Sequence, residues 1–195
     1  DGAQDVFETS LKFNPNDSEV INNLGNILCL KGEFNEAISM YEMSINNNPD
    51  DANTHYNLGC LHSRMNNYEP AIAAFKDSLR IDPSSHSTFY NMGNAYKEHG
   101  NVLEALTSYK YALQINSRYI PALLNAGIVL KNLGKIDEAL KLFRDILEFS
   151  PNNAESLFSI GLALEEKGET TQAAEAFEKS MEANPELAGQ VIERL

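Results

Sequence analysis

Nine of the eleven glycines fall into two series with a spacing of 34 residues. Gly25, Gly59, Gly93, Gly127 and Gly161 form one series. Gly32, Gly100, Gly134 and Gly168 form the other, with Asn66 in the remaining place. A period this strict describes an array of copies. Each copy is a small supersecondary unit that buries its apolar face only against its neighbours. A single closed core is thereby excluded, and length stops being a measure of domain number.

With position 1 set at Ser18, the units run 18–51, 52–85, 86–119, 120–153 and 154–187. Position 8 is Gly in all five units, and position 20 is Ala: Ala37, Ala71, Ala105, Ala139 and Ala173. Position 24 is aromatic: Tyr41, Phe75, Tyr109, Phe143 and Phe177. Position 28 is large and apolar, and position 32 is Pro in four units, with Ser117 in the other. Positions 4, 7, 8 and 11 share one helical face, and positions 20, 24, 27 and 28 share a face on a second helix. Small residues at 8 and 20 let the two helices approach, and the aromatic fills the space beside them. Gly at position 15 supplies the left-handed turn after the first helix, and Pro at 32 cannot continue the second. Asp50-Asp51, Ser84-Ser85 and Asn152-Asn153 precede first helices as caps. Pro70 fits the first turn of a second helix, and Pro121 does the same at the start of the fourth unit.

Leu24-Gly25 followed by Ala37, Tyr41 and Pro49 resembles the tetratricopeptide repeat, and five units carry the pattern in register. The resemblance implies an all-α fold, a right-handed α-solenoid (superhelix) of antiparallel helix pairs. Residues 1–16 match a second helix through Ala3, Phe7, Ser10, Leu11 and Pro15, which reads as an incomplete N-terminal repeat. Its missing partner predicts that the natural protein extends N-terminally. Residues 188–195 read as a C-terminal capping helix or a truncated repeat.

The net charge of −13 argues against nucleic acid, whose phosphates need clustered Lys and Arg. The charge is uneven: residues 1–51 carry −8, residues 52–153 carry +1 and residues 154–195 carry −6. Acidic ends confer solubility. The near-neutral centre is also where a ligand surface could sit. No apolar run approaches the ~18 residues of a membrane span, so no membrane insertion is expected. Cys29 and Cys60 fit a reducing, intracellular compartment, the cytoplasm first with the nucleus not excluded.

Catalytic constellations are missing from the sequence, which reads as non-enzymatic and needing no cofactor. The glycines are too dispersed to cradle a phosphate. His55 and His62 face inward on one helix, where core packing explains them without a metal. Glu165-Glu166 and Asp137-Glu138 read as solvated acids beside helix ends.

The family resemblance places the first helices along the inside of the superhelix. Position 6 reads Asn23, Asn57, Asn91, Asn125 and then Ser159. Amides offer donors and an acceptor to an extended peptide backbone, and the row resembles the asparagine ladder of the O-linked N-acetylglucosamine transferase repeats. A plainer reading stands beside it, since Asn is common at this position in the family and the chain holds 22 of them. Tyr56 and Tyr90 at position 5 either contact a ligand or pack on neighbouring helices. Arg64, Lys97 and Lys131 put positive charge on the inner wall and suggest a peptide with some acidic character. The family's carboxylate clamp needs cations at position 2, which here reads Glu19, Asn53, Ser87, Pro121 and Glu155. That mode is not supported.

Three functions follow. The first is a protein–protein interaction module that binds an extended peptide or helix in its concave groove. The second is the substrate-recognition arm of a larger enzyme such as an O-linked N-acetylglucosamine transferase. The third is a scaffold that self-associates through its solenoid ends.

Overall fold

The computed structural model describes residues 12–187 together with Thr9 and Gly189. Among these residues there is no strand. Helical backbone at Thr9, Lys12 and Phe13 precedes ten helices. They are α1 (Ser18–Lys31), α2 (Phe34–Asn47), α3 (Ala52–Arg64), α4 (Tyr68–Ile81) and α5 (His86–Glu98). Then come α6 (Val102–Ile115), α7 (Ile120–Asn132), α8 (Ile136–Phe149), α9 (Ala154–Lys167) and α10 (Thr170–Ala183). A short 3-10 turn, Pro185–Leu187, follows. The expected N-terminal half-repeat lies outside the described residues apart from Thr9 and 12–16. The expected C-terminal cap lies outside them apart from Gly189.

Turn chemistry explains where each helix begins and stops. Gly32, Gly100, Gly134 and Gly168 have φ of 84°, 90°, 75° and 84°, and Asn66 has φ 60°. Asn is one of the few non-glycine residues that tolerates this region, because its short polar side chain can bond locally. The Asn66 Oδ1 accepts the Tyr68 hydroxyl at 2.9 Å. Of each polar pair before a first helix, the second residue makes the cap. Asp51 accepts from the backbone of Asn53 and Thr54, Ser85 from Thr88 and Asn153 from Ser156. Asp17 caps α1 through Val20 in the same way. Tyr119 makes no side-chain cap, and Pro121 occupies the first turn of α7.

The chain divides into two compact units, 1–101 and 102–195. In the first, consecutive helices pack from α1 to α5, and α1 touches α3 as α3 touches α5. The first helices of successive pairs therefore form a row. In the second, α6 to α10 pack consecutively and α7 touches α9.

The pairs α1–α2, α3–α4, α7–α8 and α9–α10 close over the same contact. Ala37, Ala71 and Ala139 are fully buried, and the rings of Phe75 and Phe143 are sealed beside them. Burying one such ring contributes about 2–3 kcal/mol. A Cβ built on Gly25 or Gly59 would come within 2.7 Å of the ring of Tyr41 or Phe75. Position 8 is Gly because the aromatic of the partner helix occupies the place of a side chain. Residues at position 27 are buried more deeply than the large ones at 28: Ser44, Ser78, Ile146 and Ser180 are buried, while Ile45 and Leu79 are half-buried. The Ser44 hydroxyl reaches the Ser18 carbonyl at 2.7 Å, joining the end of one helix to the start of its partner.

Candidate functional site

In the first unit the row formed by α1, α3 and α5 is laced by side chains about one period apart. Asn57 Nδ2 donates to Asn22 Oδ1 at 3.1 Å, and Asn91 Nδ2 donates to the Tyr56 hydroxyl at 2.8 Å. The position-6 amide thus bonds position 5 of the preceding repeat. Asn91 Nδ2 also reaches Cys60 Sγ at 3.8 Å, so Asn91 keeps its carbonyl oxygen and Asn57 keeps its carbonyl oxygen and second amide hydrogen in the amide's inventory. Arg64 Nη1 donates to the Cys29 carbonyl at 3.3 Å, and its guanidinium lies 4.9 Å from the centre of the Phe34 ring. In the second unit Lys131 Nζ reaches Glu166 Oε2 at 3.4 Å, again one helix pair onward.

Three adjoining pockets open along this row in the first unit. The first, about 590 Å³, is lined by Glu19, Asn22, Asn23, Asp51, Asn53 and Asn57, among others. The second, about 370 Å³, is lined by Cys29, Leu30, Tyr41, Asn57, Cys60, Leu61 and Arg64, with Asn26. The third, about 440 Å³, takes in Cys60, Tyr68, Phe75, Asn91, Asn94 and Glu98. Asn57 is common to the first two and Cys60 to the last two, so the pockets adjoin one another.

The residues singled out in the sequence have distinct placements. Asn23, Asn57 and Asn91 all line these pockets. Tyr56 also lines the first pocket, but its ring packs at 6.0 Å from Phe75 and its hydroxyl holds Asn91. Of the two roles left open by the sequence, packing on a neighbouring helix is the one seen. Tyr90 on α5 is half-buried and engaged, as is Asn125 on α7 in the second unit. Lys97 pairs with the adjacent Glu98 at 3.2 Å. Lys97 and Lys131 are therefore matched by carboxylates within the chain, whereas Arg64 meets the neutral Cys29 carbonyl and Phe34 ring. Leu30, 83% exposed on the pocket rim, was not singled out by residue type. An isolated exposed Leu carries no sequence signal, and only its place at position 13 of a first helix marks it.

Burial pushes the Cys60 thiol up, against a hydrogen bond to Tyr56 that lowers it, so the sulfur stays protonated at neutral pH. His55 bonds the Pro49 carbonyl through Nε2 at 3.0 Å. Burial lowers the His62 pKa, with Glu42 opposing the shift, and its Nδ1 is buried without a partner. Among the described residues no group of three or more His, Cys, Asp or Glu could hold a metal ion. None of their helices is long and apolar enough to cross a membrane.

Two tetratricopeptide repeat models match the sequence, one over residues 16–84 and the other over 56–119 and 124–188. The chain belongs to the tetratricopeptide repeat family. Its fold is the all-α solenoid of that family. No curated protein matches the sequence. Among solved structures, one of MamA is similar with a TM-score of 0.79 and 26% identity, over 85% of this chain and 97% of that one. A second MamA structure gives 0.80 and 25% identity, over 88% and 94%. YrrB, described as a tetratricopeptide repeat protein with an unusual peptide-binding site, gives 0.79 and 23% identity over 97% and 98%. The last resemblance is one of fold.

Proposed function

We propose that this tetratricopeptide repeat chain is a non-catalytic interaction module that receives an extended peptide along the first helices of its repeats. The observation that carries the reading is the row of adjoining pockets along α1, α3 and α5, with Asn57 and Asn91 in their walls. Those amides are fixed by Asn22 and Tyr56, so their remaining polar atoms are pre-oriented. Pre-orientation lowers the ordering cost of binding. An extended backbone, with an unpaired donor or acceptor at every residue, is the ligand form that such amides match. The peptide-binding site named for YrrB supports the reading as a parallel within the same fold.

The test is selection from a displayed library of random peptides on the immobilised protein, followed by affinity measurement. Enriched peptides should lose about tenfold in affinity against Asn57→Ala or Asn91→Ala, since a hydrogen bond left unmade costs ~1–2 kcal/mol. Tyr111→Ala, on an exposed site of α6, should leave affinity unchanged. A library that yields no binder, or binders indifferent to the two Asn substitutions, rejects the groove.

A further inference from the structure

The three pockets differ in chemistry, and the difference specifies a ligand. The pocket at the starts of α1 and α3 holds two carboxylates, Glu19 and Asp51, among Asn amides, and no Lys or Arg lines it. Asp51 is fixed in place by the backbone N–H groups of Asn53 and Thr54 and by the Thr54 hydroxyl. These neutral donors orient its charge without cancelling it. Glu19 is exposed in the first turn of α1 and enters no ion pair among the described residues. The described residues 12–51 carry seven acids and two bases, a net of −5, and reinforce the negative potential.

The adjoining pocket has a different character. Leu30, Leu61, Cys29 and Cys60 dominate its wall. Arg64 closes one side, with one N–H on the Cys29 carbonyl and its guanidinium against the Phe34 ring, neutral partners that hold the group at that edge without cancelling its charge. No Lys or Arg lines the third pocket.

We infer that the occupant is an extended peptide segment that places a Lys or Arg in the Glu19–Asp51 pocket and a large apolar side chain in the neighbouring Cys29–Leu30–Leu61 pocket. This rests on the groove reading above and adds the ligand's side-chain chemistry to it. The carboxylates select a cation by charge complementarity, and the apolar pocket anchors the segment by burial. Asn57, on the wall between the two, meets the backbone that joins them.

Fluorescence anisotropy with three labelled peptide pools tests it. One pool carries Lys or Arg together with Leu in a Gly/Ser background. A second replaces the basic residues with Asp or Glu. A third keeps the basic residues and omits Leu. The first pool should bind most tightly, at least about fivefold over either of the others. Glu19→Lys should lower its affinity about tenfold and Leu30→Ser about fivefold. Both residues are exposed, and circular dichroism should show unchanged helicity. Equal or tighter binding of the acidic pool, or a first-pool affinity unmoved by Glu19→Lys, overturns the inference while leaving the groove standing. Failure of every pool to bind overturns the inference and the groove together.

Discussion

At the scale of single residues, the two glycine series have different causes. Position 8 is a matter of space: a methyl group on Gly59 would meet the Phe75 ring at 2.7 Å. Position 15 is a matter of backbone: nothing lies within 4 Å of a Cβ built on Gly32, but its φ is 84°. Gly59→Ala should therefore cost about 2–3 kcal/mol through overpacking, and Gly32→Ala about 1–2 kcal/mol through the left-handed conformation. Asn66→Gly should stay within about 0.5 kcal/mol, because its φ of 60° is open to both residues. Urea midpoints of the three variants check the order. The period was plain in the sequence, and Asn66 already marked its series as the conformational one. The aromatic at position 24 was also expected beside the small residues at 8 and 20, and the packed helices set the distance from Gly59 to Phe75. His62 supplies a pH dependence. Its folded-state pKa is lowered by burial, so below about pH 6.5 the unfolded chain binds a proton that the folded chain resists. That stability is complete above about pH 6.5 and declines as pH falls toward the folded-state pKa. Between about pH 7.5 and about pH 5.5 the wild type should lose more thermal stability than His62→Gln; equal losses would contradict it.

At the scale of helices, caps and stops decide the boundaries. The polar pairs that precede α3, α5 and α9 look equivalent in the sequence, but only the second member bonds the new helix. The geometry requires it: a capping side chain must reach the N–H two or three residues ahead. Asp51→Ala should lower stability by about 1–2 kcal/mol, whereas Asn152→Ala should change it by less than about 0.5 kcal/mol. Thermal midpoints measured side by side distinguish them. Pro at position 32 proves to be a companion of the stop rather than its cause. α6 ends at Ile115 without one, at the same repeat position as α4, which ends at Ile81 before Pro83. Asn116 closes that end by donating its N–H to the Ala112 carbonyl at 2.9 Å.

At the scale of the molecule, a repeat array was legible from period and spacing because each copy states the same packing problem again. Which inward polar groups are spent on holding neighbours was not. Asn57 and Asn22, or Asn91 and Tyr56, are distant in sequence and meet only when α3 is set between α1 and α5. The same holds for Lys131, which reads as part of a positive wall until Glu166, one repeat onward, is in view. What remains is an inner face that is structurally braced and still lined by pockets. The most direct test of that claim is a two-dimensional amide NMR titration of the chain with a peptide taken from the selection. Shifts should concentrate on α1, α3 and α5, around Asn23, Asn57 and Asn91. Shifts confined to the exposed side chains of α6, such as Leu103 and Tyr111, would contradict it.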